Sequence, residues 1–153
     1  MSRKRMILGI LVLAGALAAG AWIAGQFSEE ARVKRAVAQG VKAFEREDLE
    51  GCLEFISQRY EDALGWDKPR IREGLVRLFG QVSGIKAEVG GLAVSREKDR
   101  ATVKCEIRVK ARGEGMLMFL VGSPTEKQEA VLFWAREEGR WRLVRVEGLG
   151  VRE

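Results

Sequence analysis

The chain of 153 residues contains no histidine, no asparagine, one tyrosine, two prolines and two cysteines. The missing imidazole removes the side chain that most often moves protons near neutral pH, and the commonest metal ligand with it. Two thiols, Cys52 and Cys105, do not make a zinc site by themselves. No metal and no cofactor is therefore expected. No serine sits in a Gly-x-Ser-x-Gly elbow, and "GEGMLM" at 113–118 leads into an apolar strand pattern, not the helix start a phosphate loop needs. The lack of asparagine beside abundant Glu and Arg points to a heat-adapted source.

Charge of one sign is also scarcer than it first looks. The formal net charge is +5, but Arg3, Lys4 and Arg5 precede a long apolar run, and residues 6–153 carry only +2. With no zinc-finger or RNP pattern, nucleic acid is not an expected partner.

That apolar run, "MILGILVLAGALAAGAWIAG" at 6–25, has no charge over twenty residues, the length a helix needs to cross a bilayer. Residues 1–5 form a cationic cytoplasmic flank, and Trp22 suits the far interface. Two readings stay open. An uncleaved signal anchor fits the length. A cleavable signal peptide fits the small residues Ala19 and Ala21. The anchor places the protein in the inner membrane as a single-pass chain with its domain outside the cytoplasm; cleavage would make it secreted or periplasmic. Residues 26–28 are the linker, and the domain fills 29–153.

Within that domain the apolar period changes once. Val33, Val37, Val41 and Phe44, with Ala36 and Gly40, mark a helix over about 29–47. Asp48 caps a short helix, "LEGCLEFIS". Asp67 caps a third, whose stripe is Ile71, Leu75, Phe79 and Val82 and whose end is assigned to Gly84. From Lys86 the period is two. Strands are expected near 86–89, 91–97, 101–112, 116–121, 128–137 and 140–147, with turns at "GG" 90–91, "EKDR", "GEG", "SPTEK" and "EEGR". Short connections make the sheet mostly antiparallel, and helices before strands make the class α+β.

Two strands carry particular information. "ATVKCEIRVKAR" at 101–112 puts Ala101, Val103, Cys105, Ile107, Val109 and Ala111 on one dry face and mostly basic residues on the other. Glu126, Glu129, Glu137 and Glu138 are expected to pair with that basic face across the sheet. "MLMFLV" at 116–121 is apolar on both faces, so Leu117, Phe119 and Val121 are interface candidates, against burial under the chain's own loops.

The pieces "AFEREDLEGCLEFISQRYEDALG", "IREGLVRLFGQV" and "FWAREEGRWRLVRVEG" together resemble the NTF2-like (SnoaL-like, cystatin-like α+β roll) superfamily over residues 29–149. The resemblance implies three helices packed on a strongly curved sheet, a cone with a cavity, and dimers through the sheet. Members include ketosteroid isomerases, dehydratases, polyketide cyclases, transport adaptors and membrane-anchored assembly proteins of secretion systems. On this resemblance the cone would be lined by Phe44, Cys52, Phe55, Tyr60, Trp66, Phe79, Val103, Cys105, Ile107 and Trp141, and would suit a small apolar ligand or a protein partner.

Enzymes of the superfamily place acids, histidines or tyrosines inside the cone. This chain has Tyr60, Asp62 and Asp67 near the expected mouth as an alternative catalytic set. The plainer reading has Asp67 as a helix cap, Asp62 facing water and Tyr60 as a buried ring with a partnered hydroxyl. Cys52 and Cys105 are expected as two separate buried thiols, with a disulfide as the alternative outside the cytoplasm. The expected function is a non-catalytic, membrane-anchored binding or assembly module. The alternatives are a small isomerase, dehydratase or cyclase, and a secretion-system assembly component.

Overall fold

A computed structural model describes residues 29–149. The predicted membrane segment 6–25 lies outside them. Among the described residues no helix is long and apolar enough to cross a membrane. Of the described residues, 29–32 belong to one unit and 33–149 to another. In the first, residues 29–32 are helical, with an ion pair of 3.3 Å between Arg32 and Glu29.

In the second unit the helical register predicted from the apolar spacing is present. Helix α1, residues 33–45 within this unit, buries Val33, Ala36 and Val37 against the sheet. Complete burial of a side chain such as Val33, fully shielded here, contributes about 1.5–3 kcal/mol. Helix α2 is Leu49–Glu54 and helix α3 is Lys68–Gln81. Both predicted caps are formed: Asp48 Oδ1 accepts from Gly51 N and Asp67 Oδ1 from Arg70 N, each at 3.0 Å. Gly84 does not end α3. The helix stops at Gln81, because Val82 is already extended, and Gly84 lies in the first strand.

Five strands follow: β1 Ser83–Glu97, β2 Arg100–Gly113, β3 Met116–Val121, β4 Gln128–Glu137 and β5 Arg140–Glu147. All pair antiparallel. The two strands predicted before residue 98 are one. Gly90-Gly91 is not a turn; the register shifts between Gly90 and Ala93 while pairing with β2 continues on both sides. Gly91, at φ +62°, absorbs the irregularity that a side chain would resist. The Glu114-Gly115 and Glu138-Gly139 turns have positive φ at both residues, the geometry that matches strand twist in tight hairpins.

The sheet is organised on β2. One flank pairs with β1 along its whole length. The other flank is divided: Arg100–Ile107 pair with β4, and Val109–Gly113 pair with β3. Register shifts in β1, at Val109/Lys110 and at Phe133/Trp134 bend the sheet. The edge of β5 is covered by the segment after α2, through a parallel bridge between Ile56 and Leu143.

Candidate functional site

The dry face of β2 is present as its alternation predicts. Ala101, Val103, Cys105, Val109 and Ala111 are buried, and Ile107 is half-buried. The residues expected to line one cone are distributed over three clusters. Val103, Cys105 and Trp141 are buried with α1 residues Val33, Ala36 and Val37, and Phe55 and Ile107 pack against them. Phe44 and Phe79, with ring centroids 5.9 Å apart, pack with Ile107 around Val82, Ile85, Val109 and Ala111. Tyr60 joins Leu53 and Ile56, with Trp66 at the periphery. Cys52 is buried on α2. Ile107 joins the first two clusters, and Leu143 and Val146 join the first and third.

Both cysteines are free thiols. Burial, reinforced by the charge of Asp48, pushes the Cys52 thiol up to about 11. Burial also raises Cys105, whose Sγ lies 3.8 Å from the carbonyl of Ala130 as a weak donor. A thiol held protonated at neutral pH is a core residue and a poor nucleophile.

Tyr60 and Asp62 do meet. The Tyr60 hydroxyl donates to Asp62 Oδ2 at 3.0 Å. Burial first, then this hydrogen bond and the Asp62 charge, raise the phenol well above its ordinary value. The other oxygen, Oδ1, accepts from Leu64 N at 2.9 Å and Trp66 N at 3.0 Å. Asp62 is thus half-buried and ties the loop 62–66 together, where the sequence suggested a water-facing carboxylate. The reason is local: an aspartate side chain readily closes a turn over the next amides. Asp67 is occupied by the α3 cap. Around Trp66, the Arg70 guanidinium stacks over the indole at 5.3 Å, and Gly74 gives the ring room, since a Cβ there would lie 3.1 Å from it.

One buried polar pair escaped the sequence reading. Ser57 is wholly buried, donates from Oγ to Glu137 Oε2 at 3.0 Å and accepts from Arg59 N at 3.1 Å. Glu137 Oε1 is shielded from solvent without a hydrogen-bond partner. The predicted cross-sheet partner for this carboxylate gives way to a serine 80 residues upstream. On the face of β2 away from α1, Arg108 instead pairs with Glu88 of β1, with Nη2–Oε2 at 2.5 Å. That guanidinium holds the Glu88 carboxyl below its ordinary value.

An open trough of about 920 Å³ borders Glu137 and crosses the strands at Thr102, Phe133 and Ala135, with Arg59, Arg100 and Arg142 around it. Its charges alternate, and Arg136 there pairs with Asp99 at 2.7 Å. Such a surface suits a polar or charged partner. Among the described residues no group of three or more acidic or thiol side chains is placed to hold a metal ion.

No family model matches the sequence, and no curated protein matches it. Solved structures do. An NTF2-like protein with a cystatin-like fold from Novosphingobium aromaticivorans is 18% identical at a TM-score of 0.65, covering 82% of this chain and 84% of its own. A candidate dehydratase of the NTF2-like family from Streptomyces avermitilis is 16% identical at 0.67, covering 78% and 94%. A candidate aromatic ring hydroxylase from N. aromaticivorans is 16% identical at 0.68, covering 78% and 87%. Helices packed on an antiparallel sheet, in the arrangement these proteins share, give the chain an α+β NTF2-like fold.

Proposed function

We propose that this domain is a non-catalytic binding or assembly module, held at a membrane by residues 6–25 and displayed outside the cytoplasm. The observation that carries the reading is the engagement of Asp62. The one phenol of the chain and two backbone amides bind its two oxygens, so this carboxylate acts as a loop clamp. The cluster that holds its phenol partner, Leu53 and Ile56 with Trp66, Ile71 and Leu75 packed on it, is mostly hydrocarbon, which packs or holds an apolar group and does not shuttle protons.

The test has two parts. Full-length protein in a bacterial host should remain in the membrane fraction after alkaline extraction, with its domain cut by protease added to the outer face. In detergent it should turn over neither steroid enones nor cyclisable polyketide analogues. Release into the soluble fraction would overturn the anchor. Turnover abolished by Tyr60→Phe would establish instead the enzyme reading, which the dehydratase-like neighbour favours at the level of fold only.

A further inference from the structure

The sheet ends in three flanks, and two of them are guarded. Beside β5, the chain after α2 supplies backbone bonds: Ser57 N to Leu143 O at 2.9 Å, Leu143 N to Phe55 O at 2.6 Å and Glu61 N to Val144 O at 3.2 Å. Strand β1 carries Lys86, Glu88, Arg96 and Glu97, charges that discourage a stray strand from joining. Strand β3 has neither protection. Among the described residues it pairs with β2 alone, and Met116–Val121 includes no charge and no proline.

Exposure on β3 runs along the strand and does not alternate across it. Met116, Leu117 and Met118 are 69%, 61% and 42% exposed, so both faces of the hairpin tip are bare. Phe119, Leu120 and Val121 are half-buried, and the last two pack on the core. Of the expected interface candidates, Leu117 is exposed and Phe119 and Val121 are half-buried. Helix α3 ends at Gln81, beside Gly113, and among the described residues no helix lies beyond it to cover the tip.

What fits such an edge is constrained by its backbone. Every second residue of an open strand presents an N–H and a C=O that want partners. Hydrocarbon supplies none, which argues against lipid as the occupant. A charged strand would set ionic groups against methionine and leucine. The fitting occupant is extended, apolar and uncharged, and β3 is itself such a strand. We propose that β3 pairs antiparallel with β3 of a second copy, joining two sheets edge to edge about a two-fold axis. With Met118 opposite its own copy, every β3 residue meets an uncharged one, and the contact is self-complementary. The resemblance implies only dimers through the sheet; this proposal names the edge strand and its antiparallel pairing.

The experiment measures protein mass by sedimentation for the full chain in detergent micelles, with and without Met118→Lys. The wild type should sediment with two copies per micelle, and Met118→Lys should halve that mass with an unchanged unfolding midpoint. Because a lysine variant can fail to fold, the smaller, uncharged Met118→Cys provides a second readout. It should form a disulfide-linked dimer on mild oxidation, while buried Cys52 and Cys105 stay unlinked. A monomeric wild type, a folded Met118→Lys dimer or a Met118→Cys protein that does not cross-link would each overturn the proposal. The second of these outcomes would place the dimer on another surface.

Discussion

The Ser57 hydroxyl donates to Glu137 Oε2 at 3.0 Å, joining the segment after α2 to the end of β4. Glu137 Oε1 stays buried without a partner, so this serine is the main satisfaction its carboxylate has. Ser57→Ala should lower stability by about 1–3 kcal/mol, the cost of stranding a buried acceptor. Adding Glu137→Leu should recover much of that loss, because removing both partners leaves nothing to satisfy. Denaturant unfolding of the two single variants and the double variant checks this, and additive losses would contradict it.

Tyr60 should make the fold sensitive to alkali. Burial and Asp62 raise the phenol from its ordinary value of 10.0, so the folded state keeps the proton more tightly than the unfolded chain. Below about pH 10 both states are protonated and the contribution is complete. Above it the unfolded chain ionises first, and stability falls as pH rises toward the folded value. The wild type should therefore lose more stability than Tyr60→Phe between pH 9 and 11, roughly the range around a free phenol. Parallel unfolding curves for the two proteins across that range would refute the assignment.

Thiol reactivity should report folding. Cys52, raised from 9.0 to about 11, and Cys105, raised by burial, should both resist an aromatic disulfide reagent at neutral pH. Both should react once the protein is unfolded in guanidinium. Reaction of either in the native state, counted by released chromophore, would show an accessible thiolate.

Gly122 should tolerate no side chain. Its φ is +74°, and a Cβ would lie 2.8 Å from the Glu126 carbonyl and 3.3 Å from that of Ile107. It sits where β3 ends, before the chain resumes on the same flank of β2 as β4. Gly122→Ala should cost about 1–3 kcal/mol, read as a lowered unfolding midpoint. A neutral substitution would mean the loop relaxes freely.

The legible parts of the fold were those governed by period and caps. The alternation from Ala101 to Arg112 foretold which residues of β2 are buried, and Asp48 and Asp67 foretold two helix starts. Glycine was harder, because one residue type serves turns and bulges alike: Gly90-Gly91 reads as a turn until the continuous pairing of β1 with β2 is seen. The candidate site was less legible still. The residues expected to line one cone are buried or half-buried, and tertiary packing divides all of them but Cys52 among three clusters. The Ser57–Glu137 pair left no local trace, since 80 residues separate its halves. The asymmetry of β3 depends on where α3 stops, which the strand's own sequence does not encode.

The divided flank of β2 has a consequence for how the domain tolerates change. Three ladders take their alignment from this strand, so a slip of one position would turn its basic residues inward and displace three neighbours together. Substitutions at the hairpin tips disturb one ladder, whereas an inserted residue within Arg100–Gly113 would unseat the whole sheet. Drift and engineering alike have freedom at the rim of this domain and very little along its spine.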